Sequence, residues 1–142
     1  MWRELVAELY PAATFSDGAT EDRLRSAERE LGHPMPDQLV AVLRESDGVY
    51  DGYGGGLIWC LDRIVADNRW FRTNAEYAEL YMPFDLVLFF ADAGNGDQFG
   101  LILPPVDRDD VFVWNHVDDS RTWGAANVET YLRWWASGQL TT

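Results

Sequence analysis

Along the first half of the chain, apolar positions recur at helical spacing. Trp2, Leu5, Val6 and Leu9 lie three or four residues apart and stop at Pro11, which predicts a short amphipathic helix. Thr20 can cap a second helix with Leu24, Ala27 and Leu31 inward. Glu21 and Asp22 suit its N-terminal dipole, and Gly32 suits its end. Pro36 opens a third helix at a position where its missing N–H is harmless. Leu39, Val42 and Leu43 point inward, and the Ser46-Asp47-Gly48 turn closes it. Asp51 to Gly56, which contains Tyr53, reads as a flexible loop, and Leu57 to Leu61 as a first short buried strand. A further helix from about Asp62 carries Ile64, Val65, Asn68 and Phe71 and runs toward Tyr77, before Pro83 breaks the pattern.

Beyond Pro83 the helical period gives way to short apolar runs. Asp85 to Ala91, Gln98 to Leu103 and Val111 to Trp114 are strand-like, and their order suggests an antiparallel meander. Asn95-Gly96, between the first two, predicts a tight hairpin of type I′, whose central residues both need positive φ. Asn127 caps a last helix with Val128, Tyr131, Leu132 and Trp135 on one side, ending before Gly138. No repeat, linker or low-complexity segment interrupts residues 1–142. The expected architecture is one α+β domain, a mixed and mainly antiparallel sheet with N-terminal helices and a C-terminal helix packed on it.

Composition supports one core without staples. A chain of 142 residues with 14% aromatics can offset its ordering entropy without disulfides or metal. Cys60, the single cysteine, sits in an apolar run and reads as a small core hydrophobe. No stretch approaches the roughly 20 apolar residues of a membrane helix, and Met1-Trp2-Arg3-Glu4-Leu5 lacks the apolar run of a signal peptide, so a cytoplasmic protein is expected.

Charge changes the picture most. Eleven basic residues, all arginine, face 24 acidic ones, a net charge of −13. Such a surface repels phosphate backbones, which disfavours direct nucleic-acid binding, and attracts basic partners at long range. Without lysine there is no Walker-type phosphate loop, no Schiff-base chemistry and no lysine general base.

Two segments could carry chemistry. In Phe90 to Phe99, Asp92, Asn95 and Asp97 could gather oxygen ligands for calcium, but the distal glutamate of an EF-hand loop is missing. In Trp114 to Trp123, a polar loop bounded by tryptophans, His116 near Asp118, Asp119 and Ser120 invites a triad reading. No Gly-x-Ser-x-Gly turn or oxyanion loop accompanies it. The plainer account is a turn in which Arg121 pairs with an aspartate while the tryptophans cover the sheet. Two histidines and one cysteine are too few for a usual zinc site. Among so many carboxylates, none is marked as a glycosidase pair. No catalytic residue, cofactor or metal is therefore assigned.

The same segments resemble the SUKH superfamily, in its branch of bacterial immunity proteins and fungal cell-wall regulators. The match runs in order through Ala19-Thr20-Glu21 with Glu28, Leu31, Gly32, Pro34 and Pro36, then Asp47-Gly48, Leu57 to Ile64 and Tyr81-Met82-Pro83-Phe84. It continues through Phe90 to Phe99, Val113-Trp114 to Trp123, and Tyr131-Leu132 with Trp134-Trp135. Ala91 stands where glycine is often found in this family, and the loop Tyr50 to Gly56 is individual. The resemblance implies helices packed on a mainly antiparallel sheet, no catalysis, and a cytoplasmic immunity protein that blocks a polymorphic toxin. A regulatory scaffold of the fungal type and a carboxylate-dependent hydrolase are the rival functions. Combined with the charge, the expected partner is a basic, nuclease-type toxin, and the expected assembly a monomer or weak homodimer. The expected contact residues are Asp51, Tyr53, Asp92, Asp97, Trp114, His116, Asp118, Asp119 and Arg121, with the carboxylates steering and the aromatic and arginine side chains anchoring.

Overall fold

Capping residues set several of the helix ends. A computed structural model describes residues 1–106 and 108–142. Helix α1 spans Trp2–Leu9, α2 Glu21–Leu31 and α3 Asp37–Glu45. The Thr20 side chain accepts from the Arg23 N–H at the start of α2, and Gly32 ends it at φ 85°, a left-handed position that glycine occupies without strain. The long helix expected from Asp62 is divided: α4 covers Leu61–Thr73, Asn74 closes it and caps α5, Ala75–Leu80, by accepting from Tyr77 N–H. At the front of α4, Asp47 from the turn after α3 accepts from the Leu61 N–H at 2.7 Å, so that turn also caps the next helix. Helix α6 is Val128–Ser137, capped by Asn127 as expected.

The fold is α+β, as expected, and its antiparallel strands are shared between two sheets. The two-residue strands β1 (Thr14–Phe15) and β2 (Val49–Tyr50) join β3 (Gly56–Ile58); β1 and β2 are too short to show a period of two. The second sheet is a meander in sequence order of β4 (Val87–Asp92), β5 (Gln98–Ile102), β6 (Val111–Trp114) and β7 (Arg121–Ala125). Arg121–Ala125 carries no strand signal of its own, because an edge strand of polar and small residues shows little apolar alternation. The Trp59 N–H donates to the Phe90 carbonyl at 2.7 Å and bridges the two sheets.

Each face of the meander has its own cover. Phe90 and Phe99 pack against Tyr131 of α6, whose hydroxyl donates to the Leu57 carbonyl at 2.9 Å. On the other side Phe89 and Trp114 join Phe71, Tyr77, Tyr81 and Phe84 in one aromatic cluster. Phe89 and Phe90 reach these opposite covers because successive strand residues alternate faces, and the register of β4 shifts beside them, between Phe89 and Ala91.

That bulge is fastened by a buried amide. Asn68 on α4 accepts from the Phe89 N–H at 2.8 Å and donates to the Phe89 carbonyl at 2.8 Å and the Ile64 carbonyl at 2.7 Å. It is 1% exposed, so no water would replace these bonds. Asn68→Leu keeps comparable volume but strands the Phe89 N–H and carbonyl; it should lower unfolding stability by about 3 kcal/mol, from the usual cost of buried unsatisfied groups. Urea denaturation measures this, and a loss below about 1 kcal/mol would show that the amide is dispensable.

Candidate functional site

The carboxylates singled out in the sequence lie mostly inside the protein's own hydrogen-bond network. Asp119, in the loop between β6 and β7, adopts φ 61°. Aspartate tolerates this better than bulkier residues do. One oxygen accepts from the Trp114 indole at 2.7 Å and from Arg121 at 3.0 Å; the other accepts from the Met82 N–H at 2.9 Å. Arg121 also donates to the carbonyls of Met82 and Pro83 and lies 4.6 Å from the Phe84 ring centroid. Residues 81–84, which have no regular secondary structure, are thereby pinned to the start of β7. Arg121 does pair with an aspartate, as expected.

Asp97 and His116 form a second joint. His116 approaches Asp97 through its ring Nδ1 at 2.7 Å, and its backbone N–H donates to the same oxygen at 3.1 Å. The histidine therefore meets Asp97, not Asp118, Asp119 or Ser120, and Ser120 instead gives its N–H to Asp118. The triad geometry is absent from these described contacts.

The neighbouring turn differs from the type I′ expectation. Gly94 and Gly96 have positive φ while Asn95 does not, and the Ala93 N–H reaches the Asp97 carbonyl at 3.0 Å across a longer loop. Side chains explain the change. Asp92 accepts from the Gly94 N–H and Asn95 from the Asp97 N–H, building two local turns in place of one. Asp92 also accepts from the Trp59 indole at 2.8 Å and meets Arg63 at 3.1 Å.

Burial divides the expected contact residues. Asp97 is 3% exposed and Trp114 is 3% exposed, so neither offers a free surface in the folded chain. Asp92, Asp119 and Arg121 are partly buried and already engaged. Asp118 is exposed, and half-exposed His116 sits beside it in the loop. Tyr53 stands apart, 86% exposed at the tip of a loop that Asp51 organises by accepting from the Tyr53 and Gly55 N–H groups. The structure gathers Asp97, Trp114, His116, Asp118, Asp119 and Arg121 around one end of the meander. Asp92 lies at the same end, in register with Gln98, Trp114 and Arg121 but on the edge beside β3, and Asp51 and Tyr53 lie on the loop between β2 and β3.

Charge and proton affinity follow from this geometry. Burial opposes ionisation of Asp119, but the Met82 N–H, the Trp114 indole and the Arg121 guanidinium outweigh it and hold the carboxyl below its ordinary range. Asp97 behaves alike: burial pushes it up, while the His116 ring and backbone N–H, with Thr142, bring it below. No group of three or more His, Cys, Asp or Glu among the described residues is arranged to hold a metal ion.

Sequence reasoning missed an exposed apolar set: Leu80 at 68%, Met82 at 57%, Leu86 at 76% and Val117 at 80%. Leu86 precedes a strand whose interior is buried, so alternation alone would have turned it inward with Leu88. Two small cavities of about 190 and 200 Å³ lie beside residues 82–86 and share Pro83 in their walls. Neither reaches the roughly 300 Å³ at which small-molecule sites begin. Among the described residues no helix is long and apolar enough to cross a membrane.

A SUKH family model, described as SMI1-KNR4 cell-wall, matches residues 21–132, from α2 to the middle of α6. No curated protein matches the chain. The match covers well over half of the sequence, and the chain belongs to this family.

Two variants probe the joints. Gly96→Val places a branched residue at φ 102°, where an added Cβ would lie 2.9 Å from the His116 ring, and should cost about 2 kcal/mol; an unchanged melting temperature would refute the strain. Asp119→Asn should destabilise the fold at pH 7. Because the folded carboxyl is held low, its contribution is full above about pH 4, the unfolded value, and is lost as pH falls through the lower folded value. Urea midpoints of wild type and variant should therefore draw together as the pH is lowered below the unfolded value. A gap that stays as large in acid as at pH 7 would contradict the charged role of Asp119.

Proposed function

We propose that this SUKH-family chain is a cytoplasmic immunity protein that binds and neutralises a basic, nuclease-type toxin by protein contact, without catalysis of its own. The observation that carries the reading is the charge left uncompensated on a fold of this family. With a net charge of −13, seven arginines are committed to ion pairs with the protein's own carboxylates: Arg23, Arg25, Arg44, Arg63, Arg108, Arg121 and Arg133. Glu76, Glu79, Asp85 and Asp118 have no such pairing among the described residues and are open to solvent or nearly so. A nuclease must carry a basic cleft to hold phosphates, and a carboxylate-bearing surface can occupy that cleft and accelerate encounter by steering.

The family description, which names the cell wall, favours a second reading: a regulatory scaffold whose partner is a signalling protein. The two readings differ in partner, not in mode, since both require protein contact. A toxin encoded beside the gene separates them.

Co-expression with such a toxin domain should restore growth, and failure of the chain to bind or protect would remove the immunity role. Glu79→Gln, Asp85→Asn and Asp118→Asn combined should slow association several-fold at low ionic strength and far less near 0.5 M salt, where charges are screened beyond a few ångströms. Stopped-flow fluorescence reads the rate. Indifference to both salt and substitution would eliminate steering.

A further inference from the structure

The meander presents one face that its own helices leave partly bare. Val87 pairs with Ile102 and Gly100 with Phe112, so these positions run across three strands on one side. Gly100 has no side chain, and a Cβ there would lie 2.7 Å from Val87 Cγ2 and 3.1 Å from Phe89 Cδ1. The neighbouring side chains lean into that space, and the surface dips beside them into the 190 Å³ groove, walled by Ile102, Phe112, Leu86 and Arg121. Leu86 stands exposed in its wall, and Met82, exposed too, lines the adjoining cavity across the shared Pro83, so the two form an apolar ridge. Apolar surface of this kind, ringed by polar groups, marks contact sites in soluble proteins.

Charge selects the occupant. Asp85 lies within the ridge, Glu76 and Glu79 stand on α5 immediately before it, and Asp118 follows His116, whose carbonyl accepts from the Tyr81 hydroxyl at 3.0 Å. The cations at hand are already turned away. Arg121 is bound to Asp119 and the ridge carbonyls, and Arg72 points inward to His33 and the Val87 carbonyl. A second copy of this chain would bring carboxylates against carboxylates.

We infer that the ridge Met82–Leu86 and the adjoining groove form the contact surface for a basic segment of a partner protein, which seats one aliphatic or aromatic side chain in the groove and sets flanking cations against Asp85, Glu79 and Asp118. This rests on the reading that the partner is a basic protein, and it names the surface and the local chemistry that reading leaves open. Leu86 acts as the apolar anchor of the wall, and Asp85 as the charge beside it.

The test uses the full chain and the peptide acetyl-Lys-Arg-Leu-Arg-Lys-amide, followed by amide chemical shifts. Shifts should concentrate at Leu86, Ile102, Phe112 and Arg121. Replacing the central leucine by glycine, or the flanks by glutamate, should weaken binding at least about tenfold, as expected for loss of an anchor or of charge complementarity. Leu86→Arg and Met82→Arg, at exposed positions, should each have a similar effect while leaving the melting temperature unchanged. Shifts centred on Asp51 to Gly55, or equal binding of the glutamate-flanked peptide, would overturn the proposal. So would a wild-type dimer in sedimentation that Leu86→Arg dissolves, which would give the surface to a second copy. A neighbouring toxin that binds wild type and Leu86→Arg equally would sink the groove and leave the immunity role intact. A toxin that never binds would sink the immunity role, while the peptide titration still decides the groove.

Discussion

The backbone of Phe89 has no strand partner on the side that faces α4, and the fold depends on how that lack is met. β4 is an edge of the meander, and a buried edge must satisfy its N–H and carbonyl groups without water. Asn68 supplies both a donor and an acceptor from a helix, acting as a one-residue strand. Because the amide fixes the depth and rotation of α4, it also sets where Phe71 enters the aromatic cluster and where α4 ends. Residues 75–86 are strung from that point, so the position of the exposed ridge follows from an amide that lies wholly inside.

The acidic character of the chain serves two purposes that composition cannot separate. Asp47, Asp92, Asp97 and Asp119 accept from backbone N–H groups, indoles, arginines or a histidine, joining segments that regular secondary structure leaves loose. Hydrogen bonds to charged acceptors are stronger than neutral ones, which suits connections that carry no ladder of their own. The remaining exposed carboxylates make the long-range field. Surface charge and internal fastening are thus carried by the same residue types, and burial alone distinguishes them.

Much of the fold was legible because its signals are local. Thr20, Asn127, Gly32 and Gly138 act at helix ends through their own side chains or their own φ, and each stands where the sequence placed it. The meander's first three strands are apolar runs that few other structures would accommodate. The rest depends on tertiary partners. β7 becomes a strand by pairing with β6, and the hairpin lengthens because Asp92 and Asn95 bond its backbone. Of the candidate site, the clustering of Asp97, His116, Asp119 and Arg121 was foreshadowed by their position in two adjacent loops. Their burial was not, since a hydrophilic residue in a loop is ordinarily a solvated one. Leu86 and Met82 escaped notice for the opposite reason: apolar residues beside a strand are ordinarily inside.

Helix α5 contains no buried residue, and Asn74 supplies its cap from within the preceding turn. Its outward positions can therefore be exchanged without opening a cavity or stranding a polar group in the core. Stability and recognition are in this way drawn from different parts of the chain. A lineage meeting a succession of changing adversaries could rewrite Glu76, Glu79 and Leu80 one substitution at a time, each intermediate still folding on the unaltered scaffold beneath.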